Sequence, residues 1–162
     1  MKHFLQHAFT GKWHVRRLLS SESRTRITDQ ITAAERGHSG QIRVVIEATP
    51  GMQYVLGGTS ARERALEVFA RERVWDTEHN NGVLLYLLVA ERDAEIVADR
   101  GLNGRVTARQ WGEICLGLER QVSIHGFESA VCDAIVGIGD LLRELFPTDG
   151  SPNELTDDVV IR

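Results

Sequence analysis

A chain of 162 residues with 42% hydrophobic composition closes one sizeable core and is short for two, so a single domain is expected. Its formal net charge of -4, with acidic and basic residues interleaved, leaves no basic stripe for a phosphate backbone, and nucleic acid is excluded as the expected partner. The longest apolar run, Val83 to Ala90, is under half the ~20 residues that a membrane-spanning helix needs, so no direct transmembrane insertion is expected.

Residues 1–19 are read as an N-terminal helical extension. Lys2, His3, Gln6 and His7 interrupt it, so it lacks the apolar core of a secretory signal, and a cytoplasmic location follows as the expectation. On such a helix His3, His7 and His14 share one face, which suits either a transition metal or solvated terminal side chains. Cys115 and Cys132 both sit inside helical patterns and read as reduced, core-facing thiols rather than a disulfide framework.

The domain proper is expected over residues 20–147. Ser20 supplies an N-cap for a helix whose Ile27, Ile31 and Ala34 recur at helical spacing until Gly37 stops it. Gln41 to Ala48 is rich in Val and Ile and ends at Thr49, Pro50 and Gly51, the pattern of a core strand running into a loop. Ser60 and Glu63 have capping-box spacing, and the helix they open places Leu66, Phe69 and Ala70 on its inner face. Val83 to Ala90 is apolar on both alternating faces, as in a central strand covered by helices on both sides. Glu91, Arg92 and Asp93 make a polar turn, and Ala94, Ile96 and Ala98 alternate along an antiparallel return strand. Thr107 and Gln110 cap a third helix with the stripe Trp111, Ile114, Cys115, Leu118 and Val122, ending at His125 and Gly126. A fourth begins near Phe127 and carries Val131, Ala134, Ile135, Ile138, Leu141, Leu142 and Leu145. Residues 148–162, with Asp149, Glu154, Asp157 and Asp158, have little apolar surface and read as a disordered acidic tail. The fold class is α/β, with a small mixed β-sheet and helices on both faces.

Two strands joined by a crossover helix run parallel, so Gly82 starts its strand at the same sheet end as Ser39 and Gly40. The return strand then carries Asp99, Arg100, Gly101 and Gly104 toward the loop from Val74 to Gly82. That loop is dense in oxygen donors, which suits a hard cation, Ca2+ or Mg2+, held by Asp76, Glu78 and Asp99. In this reading Asp76 and Glu78 are the catalytic carboxylates, Asn80 or Asn81 is a neutral donor, and Asn80 and Arg100 bind an anionic substrate. The cation activates water against a phosphoester. The same residues also suit turn chemistry: Asp76 or Thr77 capping, Asn80-Asn81-Gly82 supplying left-handed geometry, and Asp99 pairing with an arginine. His38 and His125 fall where helix C-termini favour a cation, and Ser39 falls in a strand turn. Gly101 to Gly104 is no Lys-Ser/Thr phosphate loop, and no Gly-x-Ser-x-Gly elbow occurs.

Ser39-Gly40-Gln41, Asn81-Gly82-Val83-Leu84-Leu85 and Val97-Ala98-Asp99-Arg100-Gly101-Leu102 occur in an order that resembles the TPM-domain family over roughly Ser20 to Phe146. Val74 to Glu78 with Glu95 to Gly101 is similar to its short bacterial subgroup. The resemblance implies an αβα sandwich, acid phosphatase activity in some members, and divalent-cation binding at an acidic pocket. Relatives often carry an acidic residue at Asn80, glycine at Asp99 and Asp at Ala108. Two functions follow as expectations: a divalent-cation-binding acid phosphatase-like protein, or a non-enzymatic assembly module for a membrane-associated complex, peripheral to the membrane through a partner.

Overall fold

The first described helix, α1 (Ser21–Ala34), starts where Ser20 accepts the Ser23 amide at 3.1 Å, so the cap lies where the sequence puts it. The computed structural model describes residues 19–49, 51, 54, 57–148, 150 and 152–162; the expected N-terminal extension, apart from Leu19, and His3, His7 and His14 lie outside them. Strand β1 (Gln41–Glu47) leads through α2 (Ala61–Arg71) to β2 (Gly82–Leu88), and β3 (Asp93–Ala98) returns beside it. A single 3-10 turn, Arg100–Leu102, precedes α3 (Ala108–His125) and α4 (Phe127–Leu145), and β4 (Val160–Ile161) closes the described chain. The capping boxes at Ser60/Glu63 and Thr107/Gln110 are both formed.

The sheet order is β3-β2-β1-β4. β1 and β2 are parallel with Ile42 opposite Val83, and β2 and β3 are antiparallel with Leu85 opposite Ile96. Period-two alternation divides the strand side chains between two cores. Ile42, Val44, Ile46, Val83, Leu85 and Leu87 face α1, α3 and α4, whereas Val45, Leu84, Tyr86 and Val97 face Ala61, Ala65 and Val68 of α2. The result is an αβα sandwich with three described helices on one face and one on the other. Both cysteines are free and half-buried, and burial pushes the Cys115 thiol up to about 11.

Two expectations are corrected. On α2 the buried residues are Ala61, Arg64, Ala65 and Val68; Phe69 packs half-buried beside them as expected, whereas Leu66 and Ala70 are exposed. The helix is turned because Arg64 enters the interior to meet Glu47 at the end of β1, with Nη2 to Oε1 at 2.8 Å. The acidic tail is also not loose where it is described. Residues 152–162 run along the β1 edge, Val160 and Ile161 pairing in parallel with Val45 and Ile46. The Gln41 side-chain oxygen accepts the amides of Glu154 and Leu155 at 2.8 and 3.0 Å, and Arg43 donates to the carbonyl oxygen of Thr156 at 2.6 Å. Composition undercounts such a segment because its ordering is offset by hydrogen bonds to an open strand edge, with Leu155, Val159 and Ile161 packed against the cores.

Candidate functional site

The sheet end formed by the starts of β1 and β2 and the exit of β3 gathers the residues expected there. The Asp99 amide donates to Gly82 at 2.9 Å and the Gly101 amide to Asn80 at 2.8 Å, so the return strand is clamped on the loop before β2. Glycine is required at both contacts. A Cβ on Gly82 falls 2.0 Å from the Val74 carbonyl oxygen, and one on Gly101 falls 2.5 Å from that of Asn80. Asn80 is left-handed at φ 51°, and its side-chain oxygen accepts Nε of Arg100 at 2.7 Å. Asn81 is buried, donates from Nδ2 to Ser39 Oγ at 3.1 Å, and donates from its backbone amide to Thr77 Oγ1, also at 3.1 Å. Asp99 caps the 3-10 turn, with Oδ1 accepting the Arg100 amide at 2.7 Å. Asp99 Oδ2 and Asn81 Oδ1 are buried with no partner.

Asp76 and Glu78 lie apart from that cluster. Asp76 is exposed, ion-paired with Arg73, and faces a cavity of about 330 Å³ shared with Arg43, Glu72, Glu154 and Thr156. Glu78 is exposed, and its backbone amide donates to Glu154 at 2.8 Å. The structure thus joins Asn80, Asp99 and Arg100 and does not bring Asp76 and Glu78 to them. Among the described residues no group of three or more His, Cys, Asp or Glu side chains is placed to hold a metal. Asp76, Glu78 and Asp99 therefore do not form one carboxylate ligand group.

Two features were not anticipated from the sequence. The first is a buried polar network at the other sheet end: Arg64 grips Glu47 through Nε and Nη2 at 2.9 and 2.8 Å, and the Tyr86 hydroxyl donates to Glu47 at 2.6 Å. Burial pushes the Glu47 carboxyl up, but hydrogen bonds from Arg64 and Tyr86 outweigh it and hold it below the usual range. The second is an apolar groove of about 700 Å³ between the β2–β3 hairpin and the α3–α4 corner, lined by Leu87, Val89, Ala94, Leu118, Val122 and Phe127. Leu118 alone is fully buried on α3, and Leu116 and Ile124 are 50% and 69% exposed. Along the outer edge of β3, Arg62 donates to the Ile96 carbonyl at 2.5 Å, which blocks addition of a further strand there.

Against this geometry, the TPM-domain family model matches residues 15–140. The chain belongs to the TPM-domain family. Its fold is similar to the NMR structure of the BA42 protein from the psychrophilic bacterium Bizionia argentinensis, at TM-score 0.76 and 28% identity over 89% of this chain and 95% of that one. The N-terminal domain of a P. gingivalis protein matches at TM-score 0.66 and 16% identity, covering 84% and 83%. The N-terminal domain of the cg2496 protein of Corynebacterium glutamicum matches at 0.56 and 14%, covering 83% and 78%. These last two bear on the fold alone. No curated protein matches the chain. β4 lies beyond the part of this TPM domain that the family model matches. No helix among the described residues is long and apolar enough to cross a membrane.

Proposed function

We propose that this TPM domain is a non-enzymatic interaction module whose groove takes an amphipathic helix of a partner in a membrane-associated complex. The observation that carries the reading is the groove, an apolar channel beside a helix whose own stripe, Trp111, Ile114, Cys115 and Val122, is only half covered. A helix is favoured over a strand because Arg62 occupies the β3 edge, and a helix laid in a groove needs only apolar side chains at three- and four-residue spacing. Arg92, Asp93 and Glu119 on the lining supply charges of both signs to orient it. A TPM domain acting this way sits at the membrane through its partner.

Amide NMR tests this against the cation-dependent phosphatase reading of Asp76, Glu78 and Asp99. A model amphipathic Leu/Lys helix should shift the amides of Ala94, Leu118, Val122 and Phe127, and Val122→Glu should weaken binding at least tenfold. Millimolar Ca2+ or Mg2+ should produce no saturable shift over residues 74–82 and 99–104. Saturable cation shifts lost in an Asp76→Asn, Glu78→Gln double variant, with no response to the helix, would replace the module with the phosphatase reading.

A further inference from the structure

The C-terminal segment closes a second polar cavity at the α1 end of β1. It has a volume of about 320 Å³ and is lined by Thr32, Glu35 and His38 from one side and by Thr148, Asn153 and Asp157 from the other. Asp157 accepts the Thr32 hydroxyl and, at 2.5 Å, the Asn153 side-chain amide, which fixes a carboxylate of the strap over Glu35. Glu35 accepts a hydrogen bond from the Ile42 amide at 2.7 Å. We propose that residues 152–162 form a pH-sensitive strap, closed on the β1 edge while the Glu35 carboxyl is protonated and loosened as that carboxyl ionises beside Asp157.

The other charges around Glu35 do not neutralise it. Arg36 is exposed at the cavity rim. Arg143, reaching over from α4, is engaged by Asp140 at 2.7 Å and by the carbonyls of Ala34 and Arg36. His38 is buried, its ring nitrogens turned toward the carbonyls of Ala34 and Gly40 without completing a hydrogen bond, and burial lowers its pKa, which disfavours its charged form. Burial, and then Asp157, push the Glu35 carboxyl up to about 8 against the opposing Ile42 amide.

The sign follows from linkage. A carboxyl that is harder to ionise in the closed state than in the open one favours closure at low pH. Opening therefore rises with pH as Glu35 ionises and levels off above about 8. One linked proton gives at most about a tenfold change per pH unit.

The experiment is amide exchange on the full chain, expressed as protection relative to intrinsic exchange. The strap is read at Arg162, whose amide donates to Ile46 at 2.9 Å, and at Ala48, whose amide donates to Arg162 at 3.0 Å. The Leu85 amide in the centre of the sheet is the control. Protection at Arg162 and Ala48 should fall at least fivefold from pH 6 to pH 8 while Leu85 is unchanged. Glu35→Gln, which keeps an acceptor for Ile42, should flatten the profile, and Asp157→Asn, which removes the charge opposing ionisation of Glu35, should shrink the fall and level it off at a lower pH. A flat profile in the wild type, or the same fall in Glu35→Gln, overturns the strap.

Discussion

Arg64 enters the interior because Glu47 ends β1 on the α2 face and has no solvent to stabilise its charge. Each ion is costly alone and tolerable together, since removing one partner strands a buried charge. Arg64→Ala is therefore expected to cost about 3–5 kcal/mol in urea unfolding, whereas an Arg64→Met, Glu47→Gln pair recovers most of it. The Glu47 carboxyl is held below its ordinary value in the folded state, so its contribution is present above pH 4.5 and lost as pH falls through the folded value. Gly82→Ala is a different kind of residue-scale test. The intruding methyl meets the Val74 backbone at 2.0 Å, and shifting that loop should cost at least about 3 kcal/mol and broaden the Asn80 and Asp99 amides in NMR spectra.

At the scale of elements, local chemistry made most of the fold legible. Ser20, Ser60 and Thr107 cap where their spacing puts them, and Thr107→Ala should cost about 1 kcal/mol by thermal unfolding. The strand pairing and the convergence of Asn80, Asp99 and Arg100 also followed, because a parallel crossover and a tight hairpin leave little freedom of placement. The inner face of α2 did not, since periodicity counts Leu66 as apolar and Arg64 as polar and has no knowledge of a carboxylate waiting across the core. Asp76 and Glu78 were equally opaque. Spacing along a loop brings carboxylates near in sequence, but Asp76 is taken up by an ion pair with Arg73, and at Glu78 it is the backbone amide that meets Glu154 of the C-terminal segment. The groove involves side chains from the hairpin and from the α3–α4 corner, distant stretches that no local window joins.

Across the whole molecule, β1 is covered on one edge by β2 and on the other by the strap, so the sheet's integrity on that side depends on charges far apart in sequence. Glu72, at the end of α2, accepts Arg43 of β1 at 2.8 Å and also pairs with Arg162. Burial pushes its carboxyl up, but the two guanidinium groups prevail and hold it below the ordinary 4.5. Its clasp is therefore complete above pH 4.5 and is lost as pH falls through the folded value, the reverse of the direction at Glu35. Together the two carboxyls bound closure from both sides: acid unfastens Glu72, and rising pH ionises Glu35. Protection of the Arg162 amide should accordingly peak in mildly acidic solution and decline on either side. Glu72→Gln should lower the peak and erase the acid limb while leaving the fall toward pH 8, and Glu35→Gln should do the opposite. If each variant altered both limbs equally, the strap would be responding to the stability of the whole domain and not to two separate clasps.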